Sequence, residues 1–265
     1  LSGAKFPDKP ADPLIVHPDI RRMLLTQKAF AEGGRLLALY AYTQEDIARR
    51  STDAAERERA DAIVSFLTPI VKGLLTESAI ECTYNALQIF GGHGYIVDNG
   101  MEQLSRDARI TTLYEGTTQI QALDLIGRKV LQLQAIGFRH FLGEISAFCE
   151  QHASDAALGE FIAPLAGATK AWSDLTMEIA KRAAANPEET GAAAFDYLFY
   201  SGYVALAYFW ASSVAASASQ PAIREAKLQT ARFYFARILP RIGTHAAAIR
   251  AGASTLLDMP DADFG

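Results

Sequence analysis

The 265-residue sequence predicts an all-α protein: a helical domain followed by a second, antiparallel helical bundle. Three observations predict it. Apolar residues recur at three- and four-residue spacing along most of the chain. Runs of strand-like alternation are scarce. Proline and glycine gather at a few sites that read as helix ends.

After a stretch carrying Pro7, Pro10 and Pro13, Pro18 and Asp19 open a first helix. Its apolar positions are Ile20, Met23, Leu24, Ala31, Leu37, Leu39 and Tyr40. Gly33 and Gly34 weaken its middle by about 1 kcal/mol each relative to Ala, so packing must compensate or exploit them. Arg49–Asp53 reads as a turn. A second helix is expected from about Ala54 to Phe90, broken or kinked at Thr68-Pro69, with Ile63, Phe66, Ile70, Leu74, Ala79, Leu87 and Phe90 on its apolar face. Gly91-Gly92-His93-Gly94-Tyr95 cannot continue it. A short helix over Met101–Ala108 and a loop through Tyr114-Glu115-Gly116 follow. Thr117 is an N-cap for the next helix, with Ile120, Leu123, Ile126, Val130 and Leu131 at helical spacing.

Beyond Gly137 the glycine motifs stop, which sets the expected domains at 1–137 and 138–265. Helices are expected around Phe138–His152 and Leu158–Ala185, with a third after Gly191 and a fourth after Gln220-Pro221. Pro240 punctuates the last. The stripe Leu165, Trp172, Leu175 and Ile179 reads as core, as do the aromatics Phe195, Tyr197, Phe199, Tyr203, Phe209 and Trp210.

Several function classes are set aside. The net charge is -5 and no long basic run occurs, which argues against nucleic acid. Five scattered histidines lack ligand spacing, so no metal site is expected. Cys82 and Cys149 read as reduced thiols of a cytoplasmic protein. The start lacks a signal-peptide pattern and an initiator Met, which reads as a piece cut from something longer. Tyr197–Ile223 carries no charge and is long enough for a bilayer. Its serines, its Gln220-Pro221 end and its lack of basic anchors favour a buried bundle helix and no membrane span.

The chemistry concentrates between Gln88 and Gln121, where two glycine-bearing loops flank a short charged helix. Amides at the helix start near Thr117 can bind phosphate, although such loops are often plain turns. Glu115 reads either as a solvated residue favoured by the helix dipole or as a general base. In the second case Leu113 and Tyr114 would raise its pKa, and Gly116 would leave room for a substrate. The residues alone leave both readings open.

The blocks QIFGGHGY and RDARITTLYEGTTQIQ, in this order and spacing, resemble the signature region of the acyl-CoA dehydrogenase family. The resemblance implies FAD as cofactor and an acyl-CoA thioester as substrate. Glu115 would remove the α-proton while the flavin takes a hydride from the β-carbon, giving a trans-2-enoyl-CoA. It further implies that Gln88, Gly91 and Gly92 reach the FAD pyrophosphate of a neighbouring subunit. Thr117 and Gln119 would bind the ADP part of the flavin, and Tyr114 would line the acyl pocket beside Gly116. Electron-transfer flavoprotein as acceptor and a homo-oligomer, dimer or tetramer, are implied too. Arg106, Asp107 and Arg109 are expected to hold the loop through ion pairs.

Ala122 departs from the Arg usual in the family. The QALDLIGRK form and the added C-terminal helices resemble the branch containing 3-methylmercaptopropionyl-CoA dehydrogenase. The family's N-terminal helical and middle β-domains have no counterpart after Leu1, so this chain by itself is expected to be inactive. The rival readings are a flavin oxidase on the same scaffold and a non-catalytic helical interaction module.

Overall fold

Pro18 at the first position and Asp19 beside it start α1 (Pro18–Arg50), and Arg49 and Arg50 close it against the negative end of the helix dipole. The computed structural model describes residues 5–265. Asp53 accepts from the amides of Ala55 and Glu56 and so caps α2 (Ala54–Phe90). The three-residue link folds α2 back along α1 as a helical hairpin. The expected break at Thr68-Pro69 is absent, and α2 runs through Pro69. Phe66, Leu67 and Ile70 around it are almost wholly buried. At roughly 1.5–3 kcal/mol each, that burial outweighs the ~3 kcal/mol cost of an internal proline.

Gly91, at φ +62°, stops α2. The single turn α3 (Gly92–Tyr95) and α4 (Met101–Ile110) follow. Next comes α5 (Thr118–Leu123), which continues as a π-helical stretch over Asp124–Gln132. Gln134 and Ala135 reverse the chain with positive φ. The C-terminal half comprises α6 (Ile136–Gln151), α7 (Gly159–Ala185), α8 (Glu188–Ala216) and α9 (Pro221–Phe233). Then a π turn and a 3-10 turn over Tyr234–Arg241 lead into α10 (Ile242–Ala251) and the short α11 (Ser254–Leu257). Among the described residues every regular element is helical. Gly191, expected before the third of these C-terminal helices, lies inside α8. The helix starts earlier because the Asn186 side chain accepts the Glu188 amide.

The centre of the protein is α8, which packs against α1, α2, α5, α7, α9 and α10. Tyr197, Leu198, Val204, Leu206 and Trp210 on it are fully buried, and so the uncharged segment is core. Most of its buried polar groups are paired internally, the Ser212 hydroxyl being left without a partner among the described residues. Trp172 Nε1 donates to Ser201 Oγ at 3.0 Å, Ser201 Oγ donates to Tyr197 O, and Tyr197 OH meets Thr176 Oγ1 at 2.8 Å. A single apolar core therefore contains Phe30 and Ile63 of the first half together with Trp172 and Trp210 of the second. Of the described helices, α2 alone is long and apolar enough to cross a membrane, and it packs against α1, α4, α5, α6 and α8.

The helical glycines are close-approach points. A Cβ on Gly33 would lie 2.7 Å from Trp210 Nε1, and one on Gly202 would lie 2.6 Å from Leu74 Cδ2. At Gly137 it would lie 2.1 Å from the Ala62 carbonyl oxygen, so α6 begins in backbone contact with α2. The apolar pattern over-counts the core elsewhere. Leu24, Leu39, Phe90, Ile120 and Leu123 are exposed, because helical spacing marks a stripe without saying which neighbour covers it.

Candidate functional site

The loop between α4 and α5 is a tightly held elbow. Glu115 and Gly116 both adopt positive φ, +58° and +87°. For glutamate this costs roughly 1–2 kcal/mol, so the surroundings must enforce it. They do so from two sides. Gln121 Nε2 donates to Glu115 O at 3.3 Å, and Lys72 Nζ, reaching from α2, donates to Gly116 O at 2.6 Å. Below the elbow, the Thr118 amide donates to Thr112 O at 3.2 Å and Thr118 Oγ1 donates to Glu77 at 2.6 Å. Arg109 donates to the Thr112 hydroxyl. Thr117 caps α5 as expected, accepting from the Ile120 amide at 3.3 Å.

The result is a fixed backbone with an exposed, unpartnered carboxylate. Glu115 makes no side-chain hydrogen bond or ion pair with any described residue, and its amide donates to none. The expected apolar pocket around the carboxylate is not formed by this chain, because Leu113 and Tyr114 point outward and are about half exposed. Gly116 requires glycine twice over, through its φ and because a Cβ there would sit 2.7 Å from Gln121 Nε2.

The second glycine turn lies at the far end of α2. The Gly91 amide closes on Gln88 O at 3.0 Å, and the Gly94 amide closes on Gly91 O at 3.0 Å. Gly94 is packed so that a Cβ would meet Leu87 O at 2.5 Å, whereas Gly91 and Gly92 face open space. Gln88, Gly91 and Gly92 are all exposed. From Glu77, which anchors the elbow, to Gln88 is about 16 Å along the helix at 1.5 Å per residue. The structure therefore groups Tyr114, Glu115, Gly116, Thr117 and Gln119 around the elbow and leaves Gln88, Gly91 and Gly92 apart. Bare glycine backbone at one end and an N-capped turn with free amides at the other both suit the phosphates of a dinucleotide.

Between the turns runs a groove of about 680 Å³, lined among others by Leu87, Tyr95, Val97, Arg106, Arg109 and Leu113. Of its lining, Tyr95, Val97, Ile110 and Leu113 are exposed apolar residues. Arg106, Asp107 and Arg109 form no ion pair with one another. Asp107 accepts from Gln103 at 2.7 Å instead, since residues adjacent on a helix diverge by about 100°. No cluster of metal ligands exists among the described residues. Cys82 and Cys149 are free thiols.

Sequence reasoning missed Lys72, Glu77 and Gln121 as supports of the elbow. Lys72 and Glu77 are charged residues on a helix with an apolar core face, a signal of a polar task. Their partners, 44 and 41 residues away, carry no sequence signal.

Two family descriptions match the chain. "Acyl-CoA dehydrogenase, C-terminal domain" matches residues 7–131, and "Acetyl-CoA dehydrogenase C-terminal like" matches residues 141–260. The chain belongs to the acyl-CoA dehydrogenase family. It is 35% identical over 254 residues to 3-methylmercaptopropionyl-CoA dehydrogenase of Ruegeria pomeroyi, covering 93% of this chain and 43% of that protein. A butyryl-CoA dehydrogenase of Syntrophomonas wolfei is 28% identical over 276 residues, covering all of this chain and 45% of that protein. This family member thus spans less than half the length of these relatives. Its fold is that of an acyl-CoA dehydrogenase from Bacillus anthracis solved with FAD. The TM-score is 0.64 at 14% identity, over 90% of this chain and 43% of that one. Caenorhabditis elegans ACDH-11, solved with C11-CoA, gives a TM-score of 0.60 at 21% identity, over 78% of this chain and 34% of that one.

Proposed function

We propose that this chain supplies the base-bearing helical part of an FAD-dependent acyl-CoA dehydrogenase, with Glu115 as the base. The observation that carries the reading is the elbow, where a strained glutamate is locked in backbone and left free in side chain. Strain persists where surrounding contacts over-determine it, and it clusters at active sites.

In this reading Glu115 takes the α-proton of the thioester, and its free amide donates to the thioester carbonyl, stabilising the charge that develops there. Tyr114 and Gly116 border the acyl chain. Thr117 and Gln119 hold the ADP part of the flavin. Gln88, about 16 Å from Glu77 along α2, and Gly91 and Gly92 just beyond the end of that helix hold the pyrophosphate of a second subunit's flavin, so the site is completed in a homo-oligomer. The flavin, when bound, supplies the hydride acceptor. The exposed apolar rim of the groove is covered by the rest of the assembled enzyme. Residues 1–137 form the catalytic helical domain and 138–265 the extension. A cytoplasmic location and electron-transfer flavoprotein as acceptor complete the proposal.

The test is Glu115→Gln in the natural full-length protein. Flavin content is expected to stay at the wild-type level while turnover falls by roughly 10²-fold or more. Turnover near wild type sinks the assignment.

A further inference from the structure

We infer that Lys72 is a positioning residue that holds the Glu115–Gly116 elbow in its working shape. This inference deepens the proposed base role and rests on it for its catalytic meaning.

Lys72 is half-buried on α2, and its ammonium forms no ion pair with any described carboxylate. Its one hydrogen bond goes to Gly116 O at 2.6 Å, a short contact for a charged donor on a neutral carbonyl. The bond ties a part-buried ammonium to one carbonyl, with no ion pair to a described carboxylate to compete for it. The carbonyl it grips belongs to the second of two consecutive positive-φ residues. Gln121, from α5, grips the first, Glu115 O, at 3.3 Å. The two donors therefore act on the successive peptide planes that flank Gly116; the first of these is also the plane that follows Glu115, so together they hold the positive-φ turn from which the Glu115 side chain projects. Lys72 belongs to the long helix of the core, flanked by the fully buried Ile70 and Leu74. The carbonyl is thus tied to a rigid element and not to another loop. Glu77, five residues further along α2, ties down Thr118 in the same manner. The elbow is in effect mounted on α2.

The experiment uses the natural full-length protein and three variants, Lys72→Met, Lys72→Arg and Glu115→Gln. Hydrogen exchange of the Leu113–Thr118 segment is read first, with melting temperature as control. Lys72→Met is expected to speed exchange there by roughly tenfold or more while exchange in the α8 core stays unchanged. Lys72→Arg, which keeps a donor, is expected to restore most of the protection. In steady-state kinetics Lys72→Met is expected to lower kcat by roughly 10- to 100-fold with little change in KM, since a misplaced base acts on the chemical step. Unchanged exchange in Lys72→Met overturns the inference, whatever Glu115 does. Faster exchange with full turnover in Glu115→Gln keeps the clamp and removes the base assignment, so the two failures are separable. Should Lys72→Met fail to fold, Lys72→Gln, shorter and uncharged, is read the same way.

Discussion

Trp210 Nε1 donates to the main-chain carbonyl of Ala29 at 3.2 Å, a fully buried hydrogen bond that fastens α8 to α1. The bond requires the indole edge to touch the α1 backbone, and Gly33, one turn on, leaves the space for it. Gly33→Ala should gain up to ~1 kcal/mol in helix propensity. Against that gain, its Cβ would sit 2.7 Å from an indole nitrogen that is hydrogen-bonded and cannot retreat. Overpacking of this kind costs roughly 1–3 kcal/mol, so a net loss is expected. Gly34→Ala meets only the flexible Leu75 Cδ2 and should be neutral or stabilising. Urea unfolding of both variants checks the contrast, and equal stabilities would contradict it.

Gly137 tests the contact between α6 and α2. A Cβ there would lie 2.1 Å from a backbone oxygen on α2, and a backbone cannot move aside as a leucine tip can. Gly137→Ala is expected to cost about 3 kcal/mol or more. Gly143→Ala in the same helix faces open space and should gain up to ~1 kcal/mol. A mild effect at Gly137 would mean that α6 is free to lift from α2.

These glycines also show what the sequence could and could not say. Helices were legible because apolar spacing and the Pro and Gly punctuation agree with each other. Thr117 was legible as a cap because capping is local. Pro69 misled, since a local rule forbids it while the burial of Phe66 and Ile70, a tertiary effect, permits it. Of the site, Glu115 and Gly116 stood in a recognisable block. The exposure of Glu115 and the hold of Lys72, 44 positions away, on Gly116 are tertiary facts, and periodicity carries no such information. The one core shared by both halves was equally hidden, because the change of motif near Gly137 marks a change in sequence texture and not a gap in packing.

The elbow predicts a conflict between stability and function. Glu115→Gly removes the Cβ that disfavours φ +58° and is expected to raise stability by about 1 kcal/mol while abolishing the proposed base. Gly116→Ala combines φ +87° with the 2.7 Å approach to Gln121 and should cost about 1–3 kcal/mol. Thermal unfolding of the two variants beside wild type decides. Destabilisation by Glu115→Gly would mean that the backbone there is unstrained.

Cys82 gives a prediction in pH. Burial, and secondly the nearby Glu81 carboxylate, push its thiol from an ordinary 9.0 up to about 11. At pH 8 the thiolate, the reactive form, is thereby reduced by roughly a hundredfold relative to a free cysteine. Iodoacetamide should accordingly modify Cys82 slowly in the native protein and rapidly after unfolding. The linkage has a definite sign. The raised folded-state value favours the native state fully below pH 9, and that contribution fades as pH rises through about 11. Native-state alkylation at the rate of a free thiol would show that α1 and α2 open at this point, and with them the base of the hairpin on which the elbow is mounted.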